Sequence, residues 1–115
     1  CACLGLGKLY LEFNKPYDAL IPLEYASGHF IHMVQDSKTK NEWTIESMHF
    51  YAAAKLLCRQ KEAAVEILRI SDQLDNDTES LNWQINFWGK VKLLTTDTSN
   101  ILFIDDLEKK LKGKV

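Results

Sequence analysis

Residues 4–26, LGLGKLYLEFNKPYDALIPLEYA, decide how the chain is read. Leu6-Gly7 and Tyr10 lie before Asn14-Lys15-Pro16, and Ala19, Leu23 and Ala26 lie after it. Leu6 and Tyr10 are four apart, as are Ala19 and Leu23, so each pair shares one face of a helix. Asn14-Lys15-Pro16 is the turn between them. Pro16 suits a first helical position, because its φ is preset and its missing N–H would have found no partner there. Gly7 and Ala19 are small residues at the point where the two helices cross, which lets their axes approach closely. The stretch predicts a helix over Leu4–Phe13 and a second one carrying Ala19, Leu20, Leu23 and Ala26. Pro22 predicts a kink or a restart inside it. Its end stays open: either Gly28 stops the helix, or it runs on through His29, Phe30, Ile31 and Met33.

The pattern returns further along. Ala52 and Ala64 are 12 residues apart, the interval that separates Gly7 from Ala19. A polar loop, Gln35 to Glu42, leads into this second pair, with Thr44 the expected N-cap. Phe50, Ala54 and Leu57 form one helical stripe, and His49, Ala53, Leu56 and Gln60 the adjacent one. Arg59-Gln60-Lys61 reads as a turn that lacks the usual Gly, followed by a helix over Glu62–Leu74. Asp75–Thr78 is a linker, and Thr78 with Glu79 opens a third pair. There Leu81, Ile85, Trp88 and Leu93 share a face, with Gly89 as the small residue at the crossing. Thr95–Ser99 is the turn, and Ser99 or Asn100 the cap. The last helix, Ile101–Lys112, buries Leu102, Ile104 or Phe103, Leu107 and Leu111. Asp105–Lys109 and Asp106–Lys110 support it as i,i+4 pairs. Lys109, Lys110 and Lys112, with Gly113 just beyond, suit a helix C-terminus.

The expected architecture is all-α: three antiparallel helical hairpins, roughly residues 2–34, 44–74 and 79–112, in one domain. A chain of 115 residues supports a single modest core, and a start at Cys rather than Met raises the expectation of a processed or trimmed piece. A net charge of −2 gives no electrostatic case for nucleic acid. No apolar run approaches the roughly 18–20 residues of a membrane span. Of three cysteines, Cys58 sits in a helical apolar pattern and reads as a buried thiol, which fits a reducing, cytoplasmic setting. Cys1-x-Cys3 with His29-x-x-His32 has the wrong cysteine spacing for structural zinc. There is no phosphate loop, HExxH, nucleophile elbow or CxxC, and His29, His32 and His49 have no catalytic partners. Binding is therefore expected rather than catalysis, with no metal or cofactor. Trp83, Phe87 and Trp88 cannot all point inward from one helix, which leaves Trp83 or Phe87 for contact with a second copy.

The Leu6-Gly7, Tyr10, Ala19, Leu23, Ala26 pattern resembles the tetratricopeptide repeat. The likeness implies a short right-handed superhelix of hairpins. The intervals Gly7–Ala52 and Ala52–Gly89 are 45 and 37 residues, against about 34 for regular repeats. In that family the first helix of each hairpin lines a concave groove. The implied groove residues are Leu4, Lys8, Leu11 and Glu12, then His49, Ala53, Leu56 and Leu57, then Asn86, Lys90, Leu93 and Leu94. Lys8 and Lys90 fall at groove positions, but the paired asparagines of the chaperone-terminus clamp do not. LGLG, YDALIPLEYAS and FYAAAKLL followed by AAVEIL are also similar to the tetratricopeptide chaperones of bacterial type III secretion, over Leu4 to Leu74. That similarity implies a partner: an extended, partly hydrophobic segment of another protein. A scaffold or sensor slice of a longer repeat array is the alternative.

Overall fold

In the computed structural model the described residues are 2–37, 42–74 and 77–115, with side chains described at all of them except 29–37, 42 and 43. They form six helices: α1 (Ala2–Glu12), α2 (Pro16–Ser37), α3 (Glu42–Leu57), α4 (Lys61–Ser71), α5 (Thr78–Lys92) and α6 (Thr98–Lys112). There is no strand among the described residues. Two compact units are present, Cys1–Asp75 and Asn76–Val115. The first holds α1 to α4, and the second α5 and α6.

In the first unit α2 packs on both α1 and α3, while α3 also packs on α4 and α1. The core follows from the small residues. A Cβ at Gly7 would overlap the side chain of Leu23, so α1 and α2 cross where there is no room for one. Leu4, Leu11, Ala19, Leu23, Ala26 and Ala54 form one buried cluster, with Tyr10, Leu20, Phe50, Tyr51 and Leu57 packed against it. Burying Leu23 completely contributes roughly 1.5–3 kcal/mol. Helix α3 is central, and its run Ala52-Ala53-Ala54 is fully buried. Residues without long side chains let neighbouring helices approach it from more than one side. The buried hydroxyl of Ser47 is satisfied locally, its Oγ donating to the Thr44 carbonyl at 2.9 Å.

The turns after α1 and α3 have the same geometry. Asn14 and Arg59 both take positive φ, 55° and 64°. Asn14 N–H donates to the Leu11 carbonyl at 2.9 Å and Lys15 N–H to Tyr10 at 2.8 Å. In the second turn Arg59 N–H donates to Leu56 at 3.1 Å and Gln60 N–H to Lys55 at 2.9 Å. Each bond spans the same residues shifted by 45. This is the Schellman closure, in which a left-handed residue just past the helix aims two N–H groups at its last carbonyls. Pro16 and Lys61 then begin α2 and α4.

Of the two ends left open for α2 the longer one is observed: the helix continues without a restart through Pro22 and Gly28 to Ser37, packed on two neighbours although Pro22 cannot donate a bond. Several other local expectations are corrected. Gln35–Ser37 therefore belong to α2, and Thr44 lies inside α3, buried, rather than capping it. The cap of α5 is Asp77, whose carboxylate accepts from Ser80 N–H at 2.7 Å. That of α6 is Asp97, accepting from Ser99 N–H at 2.8 Å, so the helix begins at Thr98 and not at Ile101.

In the second unit Gly89 is not at a crossing: a Cβ there would meet nothing within 4 Å. Ile104 and Leu111 are buried as expected, but Leu102 is exposed. Asp106 pairs with Lys110 at 3.1 Å, whereas Asp105 reaches across to Lys92 of α5 at 2.8 Å. Trp88 and Phe87 are buried, and half-buried Trp83 stacks on Phe87 with ring centroids 5.1 Å apart. None of the three is fully exposed, because stacking along one helix lets neighbouring rings shield one another.

Candidate functional site

The expected groove residues separate into two groups. Leu4, Leu11, His49, Ala53 and Leu56 are buried, and Leu4 and Leu11 belong to the core cluster of the first unit. For these five the groove assignment is corrected: a helical stripe served the interior, not a ligand. Lys8 and Leu57 are half-buried, and Glu12 is exposed. In the second unit Lys90 and Asn86 are exposed, Leu94 is half-buried, and Leu93 is 84% exposed just past the end of α5.

Within the first unit the structure brings α1 and α3 together through Lys8. Its ammonium pairs with Glu46 and sits 5.3 Å from the centre of the Phe50 ring. One side chain on α1 therefore touches a carboxylate and an aromatic face on α3, four residues apart on the same helical face. Phe50 and Leu57 lie seven apart, both half-buried, with their inner sides against the core cluster. The face shared by α1 and α3 thus presents Lys8, Glu12, Glu46, Phe50 and Leu57: an apolar strip with one engaged cation and two carboxylates. Glu46 and Phe50 were missed by the sequence reading. The interval of 45 could have found Phe50, since it is the counterpart of Gly5 on the face that Lys8 occupies.

Burial pushes the Cys58 thiol up from its ordinary range, with nearby Lys55 pulling slightly the other way, so Cys58 is a poor nucleophile. Tyr51 is raised, first by burial and then by Glu24. Among the described residues no three His, Cys, Asp or Glu side chains are grouped to hold a metal ion. Cys1 and the side chains of His29 and His32 lie outside the described residues. No described helix is long and apolar enough to cross a membrane.

A second feature is the apolar exterior of the first helix pair. Leu6 and Leu9 lie on one face of α1, with Phe13 just past its end, and Tyr17, Ile21 and Tyr25 line one face of α2, all of them exposed. No known protein family, curated protein or solved structure matches this chain.

Proposed function

We propose that the first unit is a tetratricopeptide-like protein-binding module that holds an extended, partly hydrophobic segment of a partner along the face shared by α1 and α3. The observation that carries this reading is Lys8, which meets both Glu46 and Phe50 and so sets the two helices side by side. Two first helices in register, with half-buried apolar groups between them, form a strip that an extended chain can follow. The identical turns at Asn14 and Arg59, 45 residues apart, support the reading of two copies of one helical hairpin. The likeness to secretion chaperones adds the kind of occupant: a segment that needs shielding until it is handed on.

Phage-displayed 12-residue peptides, with a proline in each to prevent helix formation, test it. Peptides enriched in aromatic and branched apolar residues should be recovered on the wild-type protein. Phe50→Ser and Lys8→Glu should weaken the best of them at least tenfold while helicity by circular dichroism stays within a few per cent. Recovery of no peptide, or equal affinity for both variants, rules the face out.

A further inference from the structure

Granted the binding face proposed for α1 and α3, we infer that Glu46 and Phe50 form a subsite on it for an arginine side chain of the bound segment, and that Lys8 is the cation that fills this subsite until the segment arrives. Glu46 and Phe50 are four residues apart, so a carboxylate and an aromatic ring leave α3 on one side. Together they attract a cation, as Lys8 demonstrates. Its ammonium reaches over from α1 to pair with Glu46 and lies 5.3 Å from the centre of the Phe50 ring. The other cation set over a ring has no such partner: Lys55, 5.5 Å from the Tyr51 ring, is held by the neutral Gln60 amide at 3.0 Å.

Accessibility and charge permit the exchange. The side chains of Lys8 and Glu46 are 37% and 26% exposed, and Phe50 is half-buried with its inner side on the core cluster. Glu12 lies four residues beyond Lys8 on the same face of α1, exposed and in no ion pair among the described residues. A lysine displaced from Glu46 therefore has a second carboxylate one turn away, and the number of ion pairs is conserved. Helices α1 and α3 keep their places through the exchange, because α2 packs on both.

Arginine is the occupant that gains most. Its planar guanidinium stacks on an aromatic face and presents two parallel N–H groups to a carboxylate. An ammonium offers only a compact, strongly hydrated charge. The face also carries two carboxylates, Glu12 and Glu46, against the one cation of Lys8, so a cationic segment complements it and an acidic one does not.

The test uses displayed 12-residue peptides, each with one proline, in three libraries whose central residue is arginine, lysine or leucine. The arginine library should dominate recovery on the wild-type protein. Its best peptide, labelled with fluorescein, should bind at least tenfold more weakly once citrulline, the neutral isostere, replaces the arginine. On Glu46→Gln that difference should shrink below twofold. Lys8→Met vacates the subsite without setting two carboxylates together as Lys8→Glu does. It should bind the arginine peptide at least threefold more tightly than wild type and the citrulline peptide no more tightly. Both substitutions fall at partly exposed positions, so helicity and melting should stay close to wild type. Recovery led by lysine or leucine, equal recovery from all three libraries, a citrulline penalty that persists on Glu46→Gln, or no tightening by Lys8→Met overturns the arginine subsite and leaves the binding face standing. Recovery of no peptide from any library overturns both.

Discussion

The turns at Asn14 and Arg59 are closed by the backbone, whereas the turn before α6 is closed by a side chain. In the first two, a left-handed residue aims two N–H groups back at the helix it ends. In the third, Leu93 and Leu94 bond back to Lys90 and Val91 with no positive φ among the non-glycine residues, and Asp97 then collects the N–H groups of Ser99 and Asn100. The contrast extends to the crossings. Gly7 admits Leu23 against the α1 backbone, while Gly89 faces open space and α5 is tied to α6 by Lys92. Two kinds of helix pair therefore occupy one chain: one set by close approach, one by capping and ion pairing.

The largest effect is expected at the closest approach. Gly7→Val places branched carbons where Leu23, itself fully buried, leaves no room to yield. Overpacking of this kind costs about 1–3 kcal/mol, and the upper end is expected here. Gly89→Val meets nothing, so its melting temperature should stay within a few degrees of wild type. Equal melting shifts for the two variants would erase the distinction between the crossings. Gly7→Ala is the finer probe. It gives the first pair the residue the second has at Ala52, and a smaller loss should follow, because the gain of about 1 kcal/mol in helix propensity offsets part of the overlap.

Capping comes next. Asp97→Ala removes the acceptor for two N–H groups and should cost about 1 kcal/mol, read by urea unfolding as a lower midpoint at unchanged slope. The matching change in the second pair, Gln60→Ala, removes no side-chain cap from α4 and should cost only a few tenths. A larger loss at Gln60 would mean that its bond from Lys55, 3.0 Å long, braces that turn more than the backbone does.

What could be read from the sequence follows the same division. The first pair was legible because Gly7, Ala19, Leu23 and Ala26 mark a crossing that only small residues allow, and all four are buried. The turn at Arg59 was placed correctly, but its left-handed closure was hidden, since Arg is not a residue that announces positive φ. The caps slipped by one to three residues toward Ser, Thr and Asn, when Asp77 and Asp97 just before them held the N–H groups. The groove was read least well. Leu4 and Leu11 on α1, and His49, Ala53 and Leu56 on α3, repeat at helical spacing, and spacing alone cannot tell a stripe that meets solvent from one that meets the interior.

Arginine in a left-handed turn makes a smaller prediction with the opposite sign. Replacing Arg59 by Gly removes the Cβ penalty of that conformation, while the more flexible unfolded chain returns part of the gain. A net stabilisation of about 0.5–1 kcal/mol is expected, and less for Asn14→Gly, because asparagine tolerates the region better. If the two gains come out equal, or Arg59→Gly destabilises, the turns are not alike in the way their hydrogen bonds imply.

The smallest effect separates the second unit from the first by pH. Lys92 is raised above the ordinary lysine value, first by its hydrogen bond to Asp105, then by that to Glu108. A cation whose folded value is raised stabilises fully below its unfolded value, near 10.5, and that contribution disappears as pH rises through the folded value. The stability difference between wild type and Lys92→Met should therefore be flat from neutral pH to about 10 and shrink above it. The pairs are partly exposed, so the difference is small and should also narrow in salt. Melting curves of both proteins across pH 8 to 11.5 decide it, because lysines and tyrosines common to both cancel in the subtraction. A difference that stays level to the top of that range would mean Lys92 holds α6 through its aliphatic stem, and that close packing, not charge, ties the second unit together as it does the first.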